Sequence, residues 1–188
     1  GDPAVGKTTL IQTTRTGEYD PNYTPTVGVS FTTFETAVHG KSLKIQVWDT
    51  SGAEEYEALT SSFYRGSDVC CLCFDLSRHQ TFNKLSVWYQ RLEDNVQEMP
   101  SLFVIGCKSD LTSEVPEGEI ASFCTQNKAE YIETSSSKMI GLDEFVKRLC
   151  IIATAKKVDH FSDNQTIKID SEPVVTTTTK KNSNSCCK

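Results

Sequence analysis

The first eight residues, GDPAVGKT, constrain most strongly what this chain can fold into. They fit the pattern G-x-x-x-x-G-K-[ST], in which a glycine-rich loop follows a buried strand and runs directly into a helix. The backbone N–H groups of such a loop surround nucleotide phosphates, the lysine contacts the β- and γ-phosphates, and the Ser or Thr hydroxyl binds Mg²⁺. Because nothing precedes Gly1 in this sequence, we expect a missing first strand of about five to seven residues, lying beside the strand that ends at Asp49.

The rest of the chain alternates strand and helix patterns. Continuous apolar runs, as at residues 69–74 and 102–105, are typical of strands buried on both faces of a parallel sheet. The full set of predicted elements is a helix from Lys7 to about Thr14, strands at 30–38, 42–48, 69–74, 102–105 and 131–133, a turn at 39–41, and helices at 82–96, around 120–124 and at 142–155. This order predicts an α/β P-loop NTPase fold: a mostly parallel sheet with helices on both faces and one antiparallel edge strand.

The pattern stops near residue 155 and divides the chain into two parts. Residues 1–155 form the predicted nucleotide-binding domain, which lacks its first strand. Residues 156–188 are rich in threonine, lysine, asparagine and serine. Such a composition cannot bury enough apolar surface to order itself, so we expect a disordered tail.

Charge and composition exclude several functions. The net charge is −6 and the pI about 5.1, which argues against a general nucleic-acid binder. No apolar run approaches the roughly 18 residues that a membrane span requires, and there is no signal-peptide pattern. Five cysteines lie in apolar stretches and are predicted to be buried free thiols in a reducing compartment: Cys70, Cys71, Cys73, Cys107 and Cys150.

Two further motifs follow predicted strands. Asp49 ends the strand at 45–48 and precedes Gly52; its carboxylate can hold Mg²⁺ opposite Thr8, and the Gly52 N–H can reach a γ-phosphate. Asp110 follows the run 102–105, and its carboxylate can accept hydrogen bonds from the N1–H and 2-amino group of guanine. Adenine does not offer these donors, so Asp110 predicts guanine selectivity. Taken alone, Asp110 could equally be a helix cap or a surface turn.

With these motifs in place, the chain resembles the Ras-like small GTPases and, within them, the Rab proteins of membrane traffic. The resemblance covers residue 1 to about 155 and the end of the tail. Four further stretches resemble Rab sequences: VGVSF at 27–31, KIQVWD at 44–49, FYRGS at 63–67 and CFDLS at 73–77. The sequence FYRGSD at residues 63–68 most resembles the late-endosomal branch of the Rab proteins.

The resemblance implies a role for each matching position. The implied phosphate-binding residues are Gly1, Ala4, Val5, Gly6, Lys7, Thr8, Thr9, Thr26 and Gly52, with Thr8, Thr26 and Asp49 holding Mg²⁺. The implied guanine-binding residues are Tyr19, which would stack on the base, and Cys107, Lys108, Asp110, Ser135, Ser136 and Ser137. Phe31, Trp48 and Phe63 match the aromatic trio that meets effector proteins.

Several positions depart from the family pattern. Ala53 stands where the family has the glutamine that orients the attacking water, so no catalytic residue is intact. Cys107 replaces an asparagine that braces the base-binding loops, and Ser137 replaces a lysine. Pro3 and Ala4 are unusual in the phosphate loop, and Glu55 stands where Rabs usually carry arginine. We expect these changes to affect the rate of GTP hydrolysis more than the fold.

The chain ends SCCK, which is not a C-a-a-X box. Paired cysteines near the terminus resemble Rab tails that receive two geranylgeranyl groups, and two lipid chains are what stable anchoring needs. Cys186 and Cys187 therefore imply a peripheral protein on the cytoplasmic face of vesicle or endosomal membranes, with a cytosolic pool. The implied partners are effectors, an exchange factor, a GTPase-activating protein, and prenylation escort and dissociation-inhibitor proteins.

Two functions remain open. The first is a Rab-like switch in membrane traffic that binds GTP or GDP with Mg²⁺ and hydrolyses GTP slowly. The second is a pseudo-GTPase scaffold with weak or fixed nucleotide occupancy, which Ala53 and Cys107 favour. A small-molecule kinase is disfavoured because no loop supplies the clustered arginines of a kinase lid.

Overall fold

The structure is a computed structural model that describes residues 1–22, 24–38, 41–53, 56 and 61–159. Its elements follow the predicted order of strands and helices. They are α1 (Lys7–Thr16), β1 (Val29–Val38), β2 (Lys41–Thr50), a 3₁₀ turn (Ser61–Phe63), β3 (Val69–Asp75), α2 (His79–Asn83), α3 (Leu85–Asn95), β4 (Ser101–Cys107), α4 (Glu117–Gln126), β5 (Glu130–Thr134) and α5 (Leu142–Asp159). The α/β class is confirmed.

The strands form two sheets in the described part of the chain. β3, β4 and β5 make a parallel sheet in that order, and β1 and β2 form an antiparallel pair in which Val29 lies opposite Thr50. In the described residues, β2 and β3 are not hydrogen-bonded to each other. A cavity of about 390 Å³ separates them, and its walls include Ile45 and Val47 on one side and Cys71 on the other. The expected strand beside β2 stays a prediction.

The core has two layers, one on each face of the parallel sheet. Leu72 and Phe74 of β3 pack with helices α2, α3 and α4, where Phe82 and Leu85 are buried. Alternate residues of the strands face the other layer, where Val5 and Leu10 of the phosphate loop and α1 pack against Phe103 and Phe145. Because successive strand side chains point to opposite faces, the continuous apolar runs fill both layers.

The largest differences from the predicted element boundaries are in the helices. The single helix at 82–96 is two helices, α2 and α3, that meet at Lys84 and begin three residues earlier, at His79. Thr81 stabilises this earlier start, because its hydroxyl donates to the Arg78 carbonyl at 2.8 Å. Helix α5 runs to Asp159 rather than 155, since no glycine or proline interrupts it there. The turn residues 39–40, Glu55 and the tail from residue 160, including Cys186 and Cys187, lie outside the described residues.

The described cysteines are free thiols. Cys73, Cys107 and Cys150 are buried as predicted, whereas Cys70 and Cys71 are only half-buried, because this end of β3 borders the cavity. Among the described helices, none combines the length and apolarity that crossing a membrane demands.

Candidate functional site

The loop before α1 is shaped by two left-handed residues. Ala4 has φ 58° and Gly6 has φ 114°, and Gly6 caps the N-terminus of α1. Between them, Val5 is fully buried and fixes the loop to the core. The loop therefore delivers Lys7 and Thr8 to the open first turn of α1, where unpaired N–H groups favour an anion.

The side chain of Lys7 folds back onto the phosphate loop. Its ammonium donates to the carbonyl oxygens of Gly1 and Asp2, each at 2.7 Å. Burial lowers the pKa of Lys7, and the nearby Cys73 and Asp49 oppose this shift. Phosphate oxygens that approach this half-buried ammonium would add charge-assisted hydrogen bonds, which are stronger than those to the neutral carbonyls.

Three oxygen-bearing side chains converge from separate segments. The hydroxyl of Thr8 donates to Asp49 Oδ2 at 2.7 Å, that of Thr26 donates to the same oxygen at 3.1 Å, and the two hydroxyls lie 2.6 Å apart. The structure thus brings together the three residues predicted to hold Mg²⁺. They come from α1, the loop before β1, and the end of β2.

The chemistry of this oxygen cluster fits a hard divalent cation. Asp49 is 5% exposed, and its Oδ1 is buried with no hydrogen-bond partner among the described residues. Burial raises the pKa of Asp49, while the hydrogen bonds from Thr8 and Thr26 act to lower it. A buried, half-satisfied carboxylate next to two hydroxyls is the donor set that Mg²⁺ prefers, with waters and phosphates completing its shell.

A cavity of about 220 Å³ opens beside this cluster. Most of the predicted phosphate-binding residues line it, whereas Gly1, Val5 and Thr9 do not. The lining residues are Pro3, Ala4, Gly6, Lys7, Thr8, Pro25, Thr26, Val27, Thr50, Ser51, Gly52, Ala53 and Tyr56. Gly52 has no room for a side chain, because a Cβ there would overlap the backbone of Asp2 and Pro3. Ser51 and Tyr56 also line the cavity, although the sequence analysis does not predict them as site residues.

Ala53 faces the cavity with a methyl group only. Its backbone N–H donates to the Ser51 hydroxyl at 3.2 Å, which closes a tight turn after β2. A methyl group has neither a donor nor an acceptor, so Ala53 itself cannot orient a water molecule.

The predicted base-binding residues meet at the ends of β4 and β5. The Ser135 hydroxyl donates to Asp110 Oδ1 at 2.5 Å and lies 3.1 Å from the Ser137 hydroxyl. The backbone N–H of Ser109 donates to the Thr134 carbonyl at 3.1 Å, which joins the two loops. The hydrogen bond from Ser135 lowers the pKa of Asp110, so its carboxylate is held in the charged form that accepts hydrogen bonds.

The ammonium of Lys108 is bound by Asp75, which the sequence analysis does not predict as a site residue. Lys108 adopts a left-handed backbone with φ 63°, and its ammonium donates to Asp75 Oδ2 at 2.7 Å. Asp75 is 1% exposed and also accepts from Arg78 Nε at 2.9 Å and from Ser77. Burial acts to raise the pKa of Asp75, but the hydrogen bonds from Lys108, Ser77 and Arg78 together lower it. The only signal in the sequence is that Asp75 ends the apolar strand β3.

The three remaining predicted base-binding residues lie in different surroundings. Cys107 is buried directly beneath the phosphate loop, and its Sγ would lie 3.7 Å from a Cβ at Gly6. It therefore packs against the loop with a thiol, where the family has an amide. Tyr19 is 44% exposed in the loop after α1, so its ring is free to contact a ligand. Ser136 lies in the turn between β5 and Ile140 and accepts the Met139 N–H through its carbonyl at 3.4 Å.

The three predicted effector-facing aromatics form one stack. Phe31 and Trp48 face each other on β1 and β2 with ring centroids 4.5 Å apart, and Phe63 lies 4.6 Å from Trp48. Phe31 and Trp48 are 47% and 45% exposed. Large, half-exposed aromatic rings of this kind are enriched at protein interfaces.

Comparisons with known proteins identify the family of this chain. The model of the Ras family matches residues 1–155. The Ras-related protein rab-11.1 of Caenorhabditis elegans is 36% identical over 138 residues, which is 72% of this chain. The matched region spans 65% of that relative's length. The chain belongs to the Ras family of small GTPases.

Proposed function

We propose that this protein is a Rab-like switch that binds GTP and GDP with Mg²⁺, hydrolyses GTP slowly, and regulates vesicle traffic. The observation that carries this proposal is the convergence of Thr8, Thr26 and Asp49 beside the cavity that the phosphate loop lines. Similarity to the Ras-related protein rab-11.1 supports the Rab assignment. The late-endosomal branch stays a prediction.

Thr26 and Gly52 are the residues through which the bound nucleotide would control two surface loops. Both line the phosphate cavity, yet Thr26 belongs to the loop before β1 and Gly52 to the loop after β2. When bound, Mg²⁺ would neutralise charge on the β- and γ-phosphates. The hydroxyl oxygen of Thr26 would be one of its ligands. Loss of the γ-phosphate then releases both loops next to the aromatic stack of Phe31, Trp48 and Phe63.

Replacing Thr26 tests this role. Thr26→Ala removes one hydroxyl from the oxygen cluster, so we expect the Mg²⁺-dependent preference for GTP over GDP to fall by about tenfold. Thr24→Ala is the matched control, because Thr24 is an exposed threonine of the same loop. Equilibrium binding of both nucleotides with Mg²⁺ and with a chelator measures the ratio. Equal ratios for both variants and wild type would contradict the role of Thr26.

The tail supports the membrane part of the proposal. Paired Cys186 and Cys187 are the acceptors for two prenyl groups, which would hold the protein on vesicle or endosomal membranes. Effectors, an exchange factor, a GTPase-activating protein, an escort and a dissociation inhibitor are the partners that follow. Mass spectrometry of the tail from cells tests this, with Cys186→Ser and Cys187→Ser as separate variants; an unmodified wild-type tail would contradict it.

The second candidate is a pseudo-GTPase scaffold. Two observations favour it: Ala53 offers no polar side chain to the phosphate cavity, and Cys107 places a thiol under the phosphate loop. Identifying the nucleotide that co-purifies with the protein separates the candidates. A mixture of GDP and GTP supports the switch, whereas an empty site, or GTP that never turns over, supports the scaffold.

A further inference from the structure

Asp2, in the phosphate loop, is held by a distant part of the chain. Its Oδ1 accepts a hydrogen bond from the indole Nε1–H of Trp88 at 2.9 Å, across 86 residues of sequence. Its Oδ2 lies 3.4 Å from the ammonium of Lys84. Lys84 stands where α2 meets α3, and Trp88 lies in the first turns of α3. The carboxylate of Asp2 therefore ties the phosphate loop to α3.

This contact is well shielded from water. The side chain of Asp2 is 13% exposed, and Trp88 is 7% exposed with the guanidinium of Arg91 4.8 Å from its ring centre. A buried indole N–H that loses its acceptor costs free energy, and a hydrogen bond to a charged group is stronger than one between neutral groups. The Trp88–Asp2 hydrogen bond therefore contributes more free energy of stabilisation than a hydrogen bond at the surface.

The backbone of Asp2 serves the nucleotide site on its other side. Its carbonyl is one of the two acceptors that hold the ammonium of Lys7, at 2.7 Å. Gly52 packs directly against the same peptide, with no room for a Cβ. Pro3 further restricts Asp2 to extended conformations. A rotation of the Asp2 peptide would displace both Lys7 and the loop that contains Gly52.

We propose that Trp88 and Lys84 are positioning residues for nucleotide binding, which act on the phosphates through Asp2. Neither side chain lines the phosphate cavity. They fix the Asp2 carboxylate, the carboxylate fixes the Asp2 peptide, and the peptide aims Lys7 and abuts Gly52. This inference rests on the proposed function, because it requires a nucleotide at Lys7.

The test measures nucleotide release from the full-length protein. The rate constant for dissociation of a fluorescent GDP analogue in Mg²⁺ is compared for wild type, Trp88→Phe, Asp2→Ala and the double variant. Trp88→Phe keeps an aromatic ring but removes the N–H donor. We expect each single variant to release the analogue about tenfold faster, and the double variant to be no faster than the faster single variant.

Two further variants separate positioning from general stability. Lys84→Met removes a half-exposed charge, so we expect release to be about twofold faster with an unchanged melting temperature. Tyr89→Phe removes a polar atom from the same helix but leaves the partners of Asp2 in place, and should release the analogue at the wild-type rate. Melting temperatures in saturating GDP are recorded for every variant.

Three outcomes overturn the inference. The first is release at the wild-type rate in Trp88→Phe and Asp2→Ala, with only the melting temperature lowered. The second is full multiplication of the two effects in the double variant, because the residues would then act independently. The third is a wild-type protein that binds no guanine nucleotide, which overturns the proposed function as well.

Discussion

At the scale of the residue, Ala53 is the position from which we predict slow GTP hydrolysis. Its methyl group lines the phosphate cavity next to Ser51 and Gly52. The resemblance to Rab sequences implies that Ala53 takes the place of the glutamine that orients the attacking water. Intrinsic hydrolysis by Ras is already slow, at roughly 10⁻⁴ s⁻¹. Losing the orienting side chain should bias the protein toward its GTP-bound state unless an activating protein supplies a glutamine and an arginine.

The first prediction concerns this position. Ala53→Gln should raise single-turnover hydrolysis of bound GTP several-fold, because the amide can both donate to and accept from the attacking water. The dissociation rate of GDP serves as the control and should not change. An unchanged hydrolysis rate in Ala53→Gln would show that the departure at this position is not what limits turnover.

The second prediction concerns the buried carboxylate of Asp75. Hydrogen bonds from Lys108, Ser77 and Arg78 outweigh burial and lower its pKa below the ordinary 3.8. An acid with a lowered folded-state pKa stabilises the fold above the unfolded-state pKa, and this stability is lost as pH falls through the folded-state value. Because Lys108 and Arg78 are 37% and 46% exposed, Asp75→Asn should cost only about 1–2 kcal/mol at pH 7.

Denaturant unfolding of wild type and Asp75→Asn between pH 7 and pH 3 measures this cost. The difference in unfolding free energy should be constant above about pH 5 and shrink below about pH 4. Asp143→Asn, an exposed aspartate on α5, controls for the loss of one surface charge. A difference that grows on acidification would have the wrong sign and would contradict the assignment of Asp75 as an ionised anchor.

At the scale of the element, local pattern was enough to predict most of the fold. The apolar runs at β3 and β4 and the turn-and-helix signal of the phosphate loop act within a few residues, so they can be read directly from the sequence. The break between α2 and α3 at Lys84 was missed, because the apolar periodicity continues through it. The Asp75 N–H donates to the Thr81 hydroxyl, which in turn donates to the Arg78 carbonyl. These bonds fix the earlier start of α2, and apolar periodicity does not predict them.

The separation of β2 from β3 leads to the third prediction. Among the described residues, β2 and β3 each have one edge without a strand partner, and the cavity of about 390 Å³ lies between them. Unpaired backbone groups away from water destabilise a fold. We expect residues 1–188 without bound nucleotide to have a melting temperature below that of an ordinary mesophilic domain. Circular dichroism during heating measures this. Cooperative unfolding at about 45–65 °C, ordinary for a mesophilic domain, would contradict it.

At the scale of the whole molecule, the site was predictable where family motifs fixed it and hidden where contacts join distant segments. Thr8, Thr26 and Asp49 were predicted together and do converge. Asp75 and the Trp88–Asp2 bond were missed, because their partners lie 33 and 86 residues away and no short motif links them. Long-range hydrogen bonds of this kind depend on how the helices pack against the sheet.

We expect the site to select guanine nucleotides through Asp110, whose carboxylate Ser135 holds in the charged form. Competition for a bound fluorescent GDP analogue in Mg²⁺, by GDP, GTP and ATP, tests it most directly. Two charge-assisted hydrogen bonds distinguish guanine from adenine, so GDP and GTP should compete at concentrations at least about 100-fold lower than ATP. Displacement by ATP as effective as that by GDP would show that Asp110 does not select guanine.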